Sequence, residues 1–581
     1  MTLPNWNLKK FYDNIDDNKI SKDLKVLSKK SKDFSNDFRN KLGSLKASQL
    51  IDSLKDFEKI QEIIQKIQSF AYLSYCTNQL DEKNKKFYQQ VEEKISEIEK
   101  NLIFYGIELN KLSTKQLLPF KKTKYKNWIE NHRKFKRFQK SEDNEKLLVE
   151  KSITSSSAWV KFFDQSMARL KFLFNGKELT ETEILNFLSS TDANIRKKAA
   201  LVFGKTLKEN AFNFCFIMNT ISKDLDIDKN IRGFEFSESS RHLYNQIEKS
   251  DVDSLVKTTS DNYSSICHRY YKYKKKFFGS GKLNYWDRNA PYPGQKESKI
   301  SWNKAREIVV NAYTDFDKRF GDIANLFFEN SWIDAQVKKG KTSGAFSHPT
   351  VPSCHPCILV NYQGKIRDVM TLAHELGHGI HQYLANKNGV LLADTPLTLA
   401  ETASVFGEML TFRSMLNKSK NKNEKIFLLR SKIEDMLNTV FRQIAFFKFE
   451  RTVHEKRARG ELSEDEICEI WMNTQEESLG NSIKFDENYK YFWAYIPHFI
   501  HSPFYVYAYA FGDCLVNSLY KKYEDGYDNF KHKYKNLLQA GGSVHYQNHL
   551  NNFELDPKKS DFWQLGMNLI KNLIDDLEKL S

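Results

Sequence analysis

Residues 369–384 read VMTLAHELGHGIHQYL, in which two histidines stand four apart and a glutamate directly follows the first. On a helix, positions i and i+4 share a face. The imidazoles of His374 and His378 can therefore close on one ion at about 2.0–2.1 Å, the length of a Zn–N bond. Glu375 is turned aside from that face, poorly placed to ligate but well placed to take a proton from water on the ion. Zinc lowers the pKa of bound water towards about 7, and an adjacent carboxylate completes the activation of a hydrolytic nucleophile.

Two imidazoles do not close a zinc site. In one well-known pattern a glycine follows the second histidine by three residues and a third histidine follows three later. Here those positions hold His381 and Leu384, so the third ligand must come from elsewhere. A following segment, LTLAETASVFGEML, offers Glu401 and Glu408. Thr398 and Glu401 have capping-box spacing, which is the purely structural alternative for Glu401. The ligand deficit favours Glu401 as the third ligand, with Glu408, two turns along the same face, as acceptor for a ligand imidazole. His381 either supports the site or simply packs.

The elements that must hold these groups are also legible. Val369, Leu372, Ala373, Leu376, Ile380, Tyr383 and Leu384 form an apolar stripe at helical spacing, which predicts a buried helix. Pro396 marks the start of the next one. Between residues 5 and 290 the only proline is Pro119, and apolar residues recur every three or four positions, as in Phe57, Ile60, Ile63, Ile64 and Ile67. That half is mainly helical. From Trp286 to Tyr362 prolines and glycines gather around the apolar run Ile358-Leu359-Val360, predicting loops and a small sheet, and helices resume after Ile366. A charged, Ser-rich passage around Lys140 to Ser157 and the Asn175-Gly176-Lys177 turn are candidate boundaries. No internal repeat is present.

The 581 residues are 40% hydrophobic, 14% aromatic and 28% charged, a globular composition. The formal charge of +16 raises the alternative of a basic helical nucleic-acid-binding protein. Yet the densest run, Lys121 to Lys140, carries Trp128, Ile129, Phe135 and Phe138 at helix-like spacing, which reads as a solvated helix face. Seven scattered cysteines argue against a disulfide framework, and no stretch of about 18 apolar residues occurs. The expected setting is the cytoplasm. In FYVYAYAF, Tyr505 and Tyr509 lie four apart and would share a helix face beginning near Pro503, although the same run could be aromatic core or an alternating strand. Cys354-His355-Pro356-Cys357 has the form of a redox pair, or with His348 of a second zinc site.

DVMTLAHELGHGIH followed by LAETASVFGE resembles oligoendopeptidase F, of the thimet-oligopeptidase-like zinc metallopeptidases. SGAF at 343–346, HPCILVNYQG at 355–364, IPHFIHSPFYVYAYAFG at 496–512, LLQAGGS at 537–543 and DFWQLGM at 561–567 extend the resemblance over essentially the whole chain. It implies a mainly α, zincin-type fold with a small β-sheet near the active site and a deep substrate channel between two halves. The implied organisation is an N-terminal helical region at 1–114, an oligoendopeptidase F N-terminal-like domain at 115–185 and a catalytic domain at 186–581. The implied activity is hydrolysis of internal bonds in short peptides, with one Zn2+ on His374, His378 and Glu401 and with Glu375 as general base. His498, Tyr505 and Tyr509 match the segment from which the family stabilises the oxyanion, with His501 and Tyr507 as alternatives. Because the match runs through HPCILVNY, both cysteines of the C-x-x-C read as incidental. A zinc exopeptidase, with a charge-binding residue near the metal, is the alternative enzyme. Expected partners are short peptides, without nucleic acid or membrane, for a monomer or weak homo-oligomer.

Overall fold

The computed structural model describes residues 3–279, 281–294 and 299–581. The chain gathers into two compact units, each drawn from three separated stretches. The first takes Met1–Lys136, Glu297–Lys418 and Lys522–Leu555, and the second Arg137–Lys296, Ser419–Lys521 and Asp556–Ser581. Helices dominate both, as the proline-poor periodic sequence predicts.

In the first unit, helices Asn18–Phe38, Ala47–Thr77 and Glu82–Glu99 turn apolar faces inward, and Ile60, Ile64, Ile67 and Phe70 are all buried. Asp17 and Asp81 cap two of these helices by accepting backbone N–H groups of Lys19 and Asn84. The predicted sheet has three short strands, β1 (Ile333–Asp334), β2 (Phe346–His348) and β3 (Cys357–Leu359), in the order β1-β3-β2. Central β3 runs parallel to β1 and antiparallel to β2, with Ser347 opposite Ile358. Covered on both faces, Cys357, Ile358 and Leu359 are fully buried. A buried ion pair pins one end. The Lys341 ammonium donates to Asp334 Oδ1 at 2.7 Å and to the carbonyls of Gln336 and Val360 at 2.8 Å each.

Helix α1 (Ile366–Ala385) follows the sheet and buries the predicted stripe apart from Tyr383, which is half-buried. Helix α2 (Leu397–Lys418) lies directly against it. Their approach depends on Gly377: a Cβ there would sit 2.6 Å from Ser404 Cα and collide with the Ala403 carbonyl. The Tyr313 hydroxyl, from helix Trp302–Phe316, donates to the Ala373 carbonyl at 2.7 Å and fixes α1 from another side.

The second unit is rich in packed rings. Helix α3 (Arg442–Arg457) sets Phe446 and Phe449 against Trp471 and against Phe499 of the short α4 (His498–His501). Helix α5 (Tyr507–Glu524) follows. The Asn175-Gly176 turn is the tip of a hairpin pairing Phe172–Phe174 with Lys177–Leu179. Both turn residues have positive φ, 52° and 78°, as a two-residue hairpin loop requires.

Candidate active site

The helical periodicity that buries one face of α1 leaves His374 and His378 on its margin, rings 4.9 Å apart and nearly perpendicular. From α2, Glu401 Oε2 approaches His374 Nε2 at 3.4 Å and His378 Nε2 at 3.5 Å. Bonds of about 2.0–2.1 Å in tetrahedral directions put ligand atoms about 3.3 Å apart, so these separations suit a single zinc-sized ion. Among the described residues this is the only cluster of His, Cys, Asp and Glu that could hold a metal. Glu401 lies beyond the first turn of α2, with its carboxylate towards the imidazoles; the capping alternative does not describe it.

The next layer orients these donors. Glu408 Oε2 lies 3.4 Å from His374 Nδ1, the other ring nitrogen, and the Ala400 carbonyl faces His378 in the same way. The Ser404 hydroxyl donates to Glu401 Oε2 at 2.6 Å. Ser404 escaped the sequence reading, although its i+3 spacing from Glu401 is the signal that could have found it. Glu375 is buried, 6% exposed, with the Ser347 backbone N–H of β2 directed at its carboxylate. His381 packs behind the cluster, 4% exposed, and burial pushes it down to about 3.

Three carboxylates around two imidazoles make a site short of positive charge. Burial pushes Glu375 up to about 7, with Glu401 adding to the rise. For His374 burial acts downward, but the Glu408 contact and the charges of Glu401 and Glu375 outweigh it and carry it up to about 9. Burial and the His374 charge take His378 down to about 4. Glu401, despite burial, is held below the ordinary carboxylate value by the two histidines and Ser404. One imidazole thus holds a proton where a cation would sit, and the donor set fits a divalent metal.

In the second unit His498, Tyr505 and Tyr509 form a separate cluster. His498 Nε2 is 3.1 Å from the Tyr509 hydroxyl, and the Tyr505 ring lies 6.2 Å from His498 and 5.2 Å from Tyr509. Burial, then His501 and Arg442, lower the His498 pKa. The expected shared helix face is corrected: α5 begins at Tyr507, and Tyr505 precedes it in a turn. Phe504 there has φ of 59°, and its N–H donates to buried Glu450 Oε1 at 2.9 Å. The alternatives are engaged elsewhere. Tyr507 is fully buried with its hydroxyl on His242 Nδ1 (3.0 Å) and Asn245 (2.8 Å), while His501 contacts Asp164 at 2.7 Å. Cys354 and Cys357 are free thiols, and His348 meets Ser69 at 3.1 Å.

A family model described as Peptidase family M3 matches residues 186–569, and one described as Oligopeptidase F matches residues 108–172. An oligoendopeptidase F homolog of Borreliella burgdorferi is 28% identical over 540 residues, 91% of each chain. An oligoendopeptidase F homolog of Lactococcus lactis is 25% identical over 556 residues, again 91% of each. Among solved structures, a protein from Chlamydophila abortus superposes with a TM-score of 0.89 at 24% identity, covering 99% of this chain and 98% of its own. Oligoendopeptidase F from Enterococcus faecium superposes with a TM-score of 0.72 at 20% identity, covering 97% and 98%. These structural likenesses establish the fold.

Proposed function

Because the chain belongs to peptidase family M3, we propose that it is a zinc metalloendopeptidase cutting internal bonds of short, unfolded peptides, with His374, His378 and Glu401 as ligands and Glu375 as general base. The observation that carries this reading is the Glu401 carboxylate oxygen set 3.4 and 3.5 Å from two imidazole nitrogens beside a buried glutamate. When bound, zinc supplies Lewis acidity, making water a stronger acid and the scissile carbonyl a better electrophile.

The chain's own groups do the rest. Glu408 and the Ala400 carbonyl fix ring orientation, and Ser404 fixes Glu401. Glu375, buried beside the ligand imidazoles, takes the proton of the attacking water at its carboxylate and returns it to the leaving amine. The Ser347 N–H holds that carboxylate in place as it cycles. His498 and Tyr505, with Tyr509 steadying His498, are the donors to the developing oxyanion, each worth about 2.7–4 kcal/mol if they act as such donors do elsewhere. We place the protein in the cytoplasm, where its seven unpaired cysteines would stay reduced.

Replacing Glu375 by Gln tests the core of this reading. Hydrolysis is expected to fall by at least about a hundredfold while bound metal, measured by atomic emission, is retained. Undiminished hydrolysis would sink the assignment. An internally quenched peptide blocked at both ends separates endopeptidase from exopeptidase, because only the former cleaves it.

A further inference from the structure

Within the second unit lies a cavity of about 190 Å³ whose walls combine flat aromatic faces with two guanidinium groups. Trp286, Tyr285, Tyr489, Phe492 and Trp471 supply the rings, and Arg288 and Arg442 the charge. The volume equals roughly six waters at about 30 Å³ each, room for one planar ring bearing a small polar head.

The polar bookkeeping of the walls points to what is missing. The Tyr489 hydroxyl is already given to Gln475 at 3.1 Å and the Tyr285 hydroxyl to Asp486 at 3.3 Å. Asp486 is itself occupied by the backbone N–H groups of Asn488 at 2.9 Å and Tyr489 at 3.3 Å. Asp287, next to Arg288 in sequence, is taken by Arg196 at 2.6 Å. Among the described residues neither Arg288 nor Arg442 has a carboxylate partner. The groups whose charge bears on Arg288 are Tyr489, Tyr271, Tyr495 and Cys267, all neutral at pH 7. Arg442 reaches the Tyr495 hydroxyl, at 3.2 Å, and the Phe446 ring. The Arg288 Nε–H is buried with no hydrogen-bond acceptor. Arg288 also bonds the Tyr489 side chain, but a guanidinium with a buried, unpaired Nε–H and no anion is costly, and the half-buried Arg442 adds a second positive charge to the same wall.

We propose that this cavity is a binding site for a small organic monoanion, a carboxylate carried on a flat apolar body. The carboxylate meets the fork-shaped donors of Arg288 and Arg442, and the body stacks on the rings around Tyr489. Inorganic phosphate or chloride would satisfy the charge but leave the aromatic walls in contact with nothing.

Calorimetric titration of the full-length protein with benzoate, benzamide and inorganic phosphate tests this. Benzoate is expected to bind at one site per chain, at least about tenfold more tightly than either its neutral analogue or phosphate. Arg442→Gln and Arg288→Gln should each weaken benzoate by a further factor of about ten, since each removes a charge-assisted hydrogen bond. Exposed Lys205→Gln should leave it unchanged. Should Arg288→Gln fail to fold by circular dichroism, Arg442→Gln and the benzamide comparison decide. Equal binding of benzoate and benzamide, preference for phosphate, or undiminished benzoate affinity in a folded arginine variant would overturn the proposal.

Discussion

At the scale of single residues, a metal and a proton compete for His374. Its folded pKa of about 9, against an ordinary 6.5, means that in the metal-free protein the imidazole is protonated well above neutrality. The raised value contributes stability that is full below pH 6.5 and lost as pH climbs through 9. Glu375, raised from 4.5 to about 7, also makes the folded state hold extra protons, so its contribution falls between those two values. His378, depressed from 6.5 to about 4, works the other way, but only below 6.5. Among these three groups the balance between pH 7 and 9 therefore follows His374. Binding of zinc at pH 8 is expected to release about one proton per ion, read from calorimetry in buffers of different ionisation enthalpy. Proton release near zero at pH 8 would show that zinc displaces no proton from His374. These couplings were only half legible in the sequence. The i, i+4 histidines and the ligand deficit led to Glu401, and the spacing on α2 led to Glu408. The Ser347 N–H and the Tyr313 hydroxyl come from elements whose spatial neighbourhood no local spacing encodes.

At the scale of elements, two close approaches set the geometry. Replacing Gly377 by Ala would ordinarily favour a helix by about 1 kcal/mol. Here the added carbon sits 2.6 Å from Ser404 Cα and drives α2 from α1. Helix content should persist while zinc affinity drops by about tenfold or more, as when ligand-orienting contacts are lost; unaltered affinity would show that Glu401 tolerates the shift. The second approach is the turn before α5. A non-glycine residue at φ of 59° is strained, and the Glu450 carboxylate, 1% exposed and pushed up to about 8 by burial, holds the Phe504 N–H there. Arg241 adds a bond to the Pro503 carbonyl at 3.3 Å and lies 5.6 Å over the Tyr505 ring. Glu450→Ala is expected to lower kcat about tenfold or more with zinc content unchanged, whereas Glu450→Gln, which keeps an acceptor, should restore most of it. An unaffected kcat in the Ala variant would remove Tyr505 from the machinery. The sequence could not anticipate this turn, because FYVYAYAF carries no glycine or asparagine to announce a left-handed residue. Its helix-like tyrosine spacing was right about proximity and wrong about the element that creates it.

At the scale of the molecule, the helical class and the small central sheet followed from periodicity and proline content, while the three-way stitching of each unit left no local trace. In the first unit the stretches are joined by backbone and side-chain bonds between distant positions. Asn7 N–H bonds the Ser331 carbonyl at 2.7 Å, Gln79 N–H the Gly340 carbonyl at 2.6 Å, and the Asn127 side chain the Gly542 carbonyl at 2.7 Å. A fragment of residues 297–418, which carries every proposed zinc ligand, should consequently stay unfolded by circular dichroism and bind zinc at least about a hundredfold more weakly than the whole chain. A folded, tightly binding fragment would mean that α1 and α2 need no outside support.

That dependence also has a timetable. The Tyr534 hydroxyl donates to the Thr402 carbonyl at 2.7 Å, one residue from Glu401, so the ligand helix receives a buttress from a stretch synthesised well after it. At about 5–20 residues per second, the 132 positions from Thr402 to Tyr534 leave the ligand helix without this buttress for roughly 7–26 seconds of translation. A chain cut short upstream of Tyr534 loses this buttress and is expected to hold zinc more weakly than the whole chain, read from the metal content of a truncation ending at residue 521.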